Sequence, residues 1–90
     1  MQLNWLPEAR GELRDILNFI ADRNPDAAER LNERIEYAAK QLIYTPHAYR
    51  PGRIDGTREV VVHPNYVLVY RVAEDAVWIL AVLHARQLYP

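Results

Sequence analysis

One feature constrains this chain more than any other: the hydrophobic period changes at Thr45-Pro46. Before it, Ala9, Leu13, Ile16, Leu17 and Ile20, then Ala28, Leu31, Ile35, Ala38, Ala39 and Leu42, recur at the spacing of one helix face. After it come runs with the length and residue types of strands, Thr57 to His63, Tyr66 to Val72 and Val77 to His84. A helical half followed by a strand half predicts an α+β architecture with the helices on one face of a sheet.

Local signals mark the joints. Pro7 is suited to a first helical position. At Asn24-Pro25-Asp26 one helix closes and the next opens, with Asn24 as cap and Asp26 beside the positive end of the helix dipole. Two amphipathic helices on so short a link form an antiparallel hairpin. Leu3 and Trp5 alternate with Asn4, so residues 2–6 read as an edge or first strand. His47 to Gly56 reads as a loop with a short strand around Arg53-Ile54. His63-Pro64-Asn65 and Glu74-Asp75 are tight turns that make the last three strands an antiparallel meander. Ala76 to Leu83 is apolar almost throughout, as expected of a central strand covered on both sides. The expected order is β-α-α-β-β-β, with an optional further strand, in an antiparallel sheet. Trp5 and Trp78 are expected in the core.

Ninety residues make one domain, 1–90, with a modest core. The chain has no cysteine, which excludes a disulfide framework and a Cys-type zinc site. No apolar run reaches the ~20 residues of a membrane span, and the N-terminus lacks the pattern of a signal peptide; a cytoplasmic location is expected. Ten of the 11 basic residues are Arg, yet the net charge is −1, which argues against a generic nucleic-acid binder.

Chemistry has few places to sit. Serine is absent, so a serine nucleophile is excluded. No phosphate-binding glycine loop or metal-ligand spacing occurs, and no cofactor or metal is expected. The one promising constellation lies at the strand ends: Arg58 opening the third strand, Arg71 closing the fourth, and His84, Arg86 and Tyr89 near the C-terminus. Arg could stabilise phosphate charge while His or Tyr moves protons, the parts RNA cleavage needs. The meander can bring Arg58 near Arg71, whereas the last strand, if antiparallel to the fourth, ends near Tyr66. The plainer alternative pairs Arg58 and Arg71 with Glu59, Asp55 or Glu74. The six tyrosines suit an interface as well as a core.

Taken in order, Trp5-Leu6-Pro7-Glu8-Ala9, Leu13-Arg14-Asp15-Ile16, Phe19-Ile20-Ala21, Asn24-Pro25-Asp26-Ala27-Ala28, Pro51-Gly52-Arg53, Gly56-Thr57-Arg58-Glu59, Tyr66 through Arg71, Ile79-Leu80, Val82-Leu83-His84 and the closing His84-Ala85-Arg86-Gln87-Leu88-Tyr89-Pro90 resemble the ParE/RelE superfamily of toxins from type II toxin–antitoxin modules. The resemblance spans essentially the whole chain. It implies a growth inhibitor neutralised by a cognate antitoxin, with operator DNA reached only through that antitoxin. The superfamily has two branches. ParE-like members poison DNA gyrase by binding; RelE-like members cleave mRNA on the ribosome without metal. Arg58 matches the strand-start Arg of the superfamily, and Arg86 and Tyr89 match the C-terminal Arg and Tyr of the RelE-like branch, with His84 as a further acid or base. This chain lacks that branch's Lys cluster before the third strand, offering only His47, Arg50 and Arg53. Its sequence pI of about 6.3 is low for docking in rRNA, and Val82-Leu83-His84 is closer to ParE. The resemblance thus implies a ParE-like toxin, with the RelE-like endoribonuclease as the alternative.

Overall fold

A computed structural model describes residues 1–90. Strand β1 (Gln2–Trp5) leads into helices α1 (Pro7–Ala21) and α2 (Pro25–Gln41); strands β2 (Arg50–Pro51), β3 (Arg58–His63), β4 (Tyr66–Ala73) and β5 (Ala76–His84) follow. The α+β class, the element order and the helical hairpin agree with the sequence. Pro7 and Pro25 each open a helix, where the missing N–H is no loss. The Asn24 side chain accepts the Ala27 N–H at 3.1 Å, as the sequence predicts.

The sheet order is β1-β5-β4-β3-β2. The expectation of an antiparallel sheet holds for β2 to β5 but not for β1, which runs parallel to β5 in the register Gln2↔Ala76 to Trp5↔Ile79. Parallel neighbours need a long crossover, and here most of the chain lies between the two strands. Alternation of apolar and polar residues fixes a strand's faces, not its direction. The short strand also lies earlier than expected, at Arg50–Pro51 rather than Arg53-Ile54, because Pro51 pairs with Arg58 and Gly52 N–H donates to Thr57 O at 2.8 Å. A Cβ on Gly52 would collide with Thr57 Oγ1, so glycine is required at that closure.

The helices cover one sheet face. Leu13, Ile35, Leu42, Leu68, Tyr70 and Ile79 form the centre of that core, five of them fully buried. Removing one such aliphatic side chain costs about 2–5 kcal/mol. The other face is not bare. Val69, Ala81 and Leu83 are buried there, with Leu80 and Tyr89 packed on them, so the C-terminal segment folds back over the sheet. β5 is therefore central, flanked by β1 and β4. Trp78 departs from expectation: its position on the face away from the helices leaves it 37% exposed.

β5 contains a bulge. Val69 pairs with Ala81 but Tyr70 with Ile79, so Leu80 is the extra residue. β1 has ended by this point, leaving the β5 edge without a backbone partner. Glu12 Oε1 of α1 accepts the Val82 N–H at 3.0 Å, and Gln87 Oε1 accepts the His84 N–H at 3.2 Å. Side chains thus cover an edge that would otherwise invite strand pairing.

Candidate functional site

Arg58 opens β3 opposite Tyr70. Its Nη1 donates to Tyr49 O at 2.8 Å and to His47 O at 3.3 Å. Beside it, the Tyr70 hydroxyl donates to Pro46 O at 2.6 Å. Together these bonds fasten the loop after α2 to the end of the sheet. Burial pushes the Tyr70 phenol above its ordinary value of 10.0, and Tyr49 adds to the shift while the Arg58 charge opposes it. A cleft of about 350 Å³ lies here, lined by His47, Pro51, Gly56, Thr57, Arg58 and Val72. Gly56 sits at φ +83°, a conformation that favours glycine.

Arg71 follows Tyr70, so the pleat sends its side chain to the opposite face from Arg58. The two are neighbours along the backbone but do not form one cluster. Neither takes the carboxylate partners considered from sequence. Glu59, a buried residue, is instead held by Arg50 Nη2 at 3.2 Å, by Arg53 Nε at 3.4 Å and by the Arg53 backbone N–H at 3.0 Å. Arg53 Nη1 also donates to Gln87 O at 3.0 Å. This guanidinium therefore joins the buried carboxylate to the returning C-terminal segment. The sequence reading missed that clamp. Its only local signal was Glu59 at an alternate strand position, downstream of a loop carrying two arginines.

The opposite end of the sheet carries His84. As the antiparallel meander requires, β5 ends beside Tyr66, not Arg71: His84 pairs with Tyr66, which pairs in turn with His63. The three rings form a row, with centroids 5.6 Å and 5.5 Å apart. Each histidine is fixed by its own turn, His63 Nδ1 accepting the Asn65 N–H at 3.0 Å and His84 Nδ1 accepting the Arg86 N–H at 3.2 Å. Arg86 is exposed beside this turn, while Tyr89 packs under the other face on Val69, Ala81 and Leu83.

The sequence-derived residues are therefore dispersed. Arg58 faces Tyr70 and His84 faces Tyr66, four positions apart on β4, which at about 3.3 Å per residue is about 13 Å. Arg86 and His84 adjoin; Tyr89 lies on the opposite face from Arg58. No group of three or more His, Cys, Asp or Glu side chains is arranged to hold a metal ion, and no helix is long and apolar enough to cross a membrane.

A helical hairpin thus lies over one face of a five-stranded sheet, with an arginine at the start of β3. The fold matches that of the chromosomal ParDE TA system from P. aeruginosa with a TM-score of 0.83 at 23% identity, covering 93% of this chain and 95% of that one. It also matches the YoeB/ParE toxin from Agrobacterium tumefaciens with a TM-score of 0.65 at 20% identity, covering 93% of this chain and 98% of that one. Sequence relatives include Y4kP of Sinorhizobium fredii, 40% identical over 99% of this chain and 93% of its own length. Toxin RelE2 of Caulobacter vibrioides is 36% identical, covering 97% of this chain and 98% of its own length. The model of the ParE toxin of type II toxin–antitoxin systems matches residues 3–89. The chain belongs to that family.

Proposed function

We propose that this toxin arrests growth by binding DNA gyrase, without a hydrolytic step of its own, and that a cognate antitoxin neutralises it. The observation that carries the reading is the state of Arg58. Its Nη1 is engaged by two backbone carbonyls, and the candidate proton-transfer groups His84 and Tyr89 lie at the other end and on the other face of the sheet. Catalysis needs reacting groups held within hydrogen-bond reach of one substrate atom; binding a large partner does not. The antitoxin partner is supported by the family and by a similar fold in the E. coli DinJ-YafQ toxin-antitoxin complex. On this reading operator DNA is reached only through the antitoxin, and toxin and target meet in the cytoplasm. The test is a supercoiling reaction with purified gyrase and full-length toxin. Inhibition is expected; full supercoiling at saturating toxin would remove the proposal.

A second reading is favoured by the adjacency of His84 and Arg86 and by the 36% identity to Toxin RelE2. It makes the chain a ribosome-dependent mRNA endoribonuclease, with Arg58 stabilising phosphate charge and Arg86, His84 or Tyr89 acting as acid or base. It predicts codon-linked mRNA cuts in a translation extract, and intact transcripts would dismiss it.

A further inference from the structure

Five of the ten arginines have side-chain donors or planes engaged. Arg10 pairs with Glu36 and stacks on Trp5, Arg50 and Arg53 hold Glu59, Arg58 holds two carbonyls, and Arg23 stacks on Phe19. The side chains of Arg14, Arg30, Arg34, Arg71 and Arg86 are not so engaged, and of these Arg30 and Arg34 lie together. They stand one turn apart on α2, so both project over the same stretch of surface, and neither has a carboxylate within 4.0 Å or a hydrogen-bond acceptor. Both line a cleft of about 260 Å³ between α2 and the end of β3, completed by Ala27, Leu31 and His63.

His63 is set in place for this cleft. Its Nδ1 accepts the Asn65 N–H and its ring leans on Tyr66, so the proton of the neutral ring resides on Nε2 and that nitrogen is left to donate. No acidic side chain lines the cleft, and Ala27 and Leu31 supply apolar walls. Such walls strengthen charge-assisted hydrogen bonds relative to open water. Two guanidinium forks from the helix and one imidazole from the strand end approach from different sides. That arrangement fits a tetrahedral anion with several acceptor oxygens better than one planar carboxylate.

We infer that Arg30, Arg34 and His63 form a phosphate-binding site on the flank between α2 and β3, distinct from the Arg58 end and independent of the gyrase reading. The ligand is a phosphate group, either free or carried in a nucleic-acid backbone.

The test is titration of isotope-labelled full-length toxin, followed by amide NMR, with inorganic phosphate in one arm and a short single-stranded DNA in the other. Saturable shifts confined to Ala27–Arg34 and His63–Asn65 are expected in at least one arm. Saturation by phosphate alone identifies a free-anion site; binding only by DNA, weakening steeply with salt, identifies the backbone. Arg30→Ala and Arg34→Ala should each weaken binding about tenfold or more, the scale of one lost charge-assisted bond. Arg30→Lys should retain part of it. Both arginines are exposed, so an unchanged amide spectrum elsewhere is expected to confirm that the variants fold. Arg14→Ala, which removes an equal charge from α1, should change binding little. No saturable shift in either arm, or an equal loss with Arg14→Ala, would overturn the inference.

Discussion

The two ends of the sheet carry similar residue types and use them in opposite ways. At the Arg58 end, a guanidinium and a phenol donate inward to the carbonyls of His47, Tyr49 and Pro46, and the loop after α2 is closed by them. At the His84 end, the ring nitrogens accept from their own turns, and Arg30 and Arg34 keep their donors free. A residue's chemistry in isolation therefore says little about its role. What decides it is which contacts the fold already gives it. Arg58 is the residue family resemblance draws attention to, yet here it acts first as a fastener.

This contrast gives an ordered set of expectations for unfolding experiments. The largest effect belongs to Tyr70, which is fully buried: Tyr70→Ala should cost about 3–5 kcal/mol through the cavity it leaves. Tyr70→Phe, which keeps the ring but leaves Pro46 O without its partner, should cost about 1–3 kcal/mol. Denaturant unfolding of the two variants separates packing from hydrogen bonding; no cost for Tyr70→Phe would mean that the hydroxyl contributes nothing, and equal costs that the ring adds nothing beyond it.

Next comes Arg58→Ala. Loss of charge-assisted bonds to two carbonyls should destabilise by about 1.5–3 kcal/mol and raise hydrogen exchange in residues 46–50 while leaving the His84 end unchanged. Exchange that rises equally at both ends would break the comparison.

The pH dependence is smaller and confined to alkali. The folded Tyr70 pKa is raised from 10.0, mainly by burial. The neutral form is favoured in the native state, so the contribution is fully present below pH 10 and is lost as pH rises through the folded value. Stability should fall above about pH 10, and Tyr70→Phe should reduce that slope. An unchanged slope in the variant would assign the alkaline loss to other groups.

The smallest effect is expected at the opposite end. His84→Ala removes an exposed ring whose polar role is one bond to its own turn, and should shift stability by about 0.5 kcal/mol or less. A cost matching that of Arg58→Ala would show that both ends are fasteners.

Much of the fold was legible because its signals are local. The helical spacing of Leu13, Ile16 and Ile20, the Asn24-Pro25 joint and the His63-Pro64-Asn65 turn each specify their own neighbourhood, and the structure has helices and hairpin where they point. The parallel pairing of β1 with β5 was not legible, since residue pattern carries no strand direction. Nor was the cover over the second sheet face: Gln87 meets Arg53 and Tyr89 meets Val69 through folding alone. The same limit applied to the site. Sequence places Arg58, Arg71, His84, Arg86 and Tyr89 at strand ends or beyond, but the pleat and register decide which face and which end, and they separate these side chains. Arg30 and Arg34 drew no notice, because two arginines on a polar helix face look like solvated surface until His63 is brought beside them.

The most direct test of the account compares wild-type and Arg58→Ala toxin in parallel gyrase-supercoiling and ribosome-dependent mRNA-cleavage reactions, at a temperature where both remain folded. The account predicts inhibition of supercoiling by both proteins and intact mRNA with either. Codon-linked cleavage by the wild type that vanishes with Arg58→Ala, while supercoiling proceeds unhindered, would contradict it.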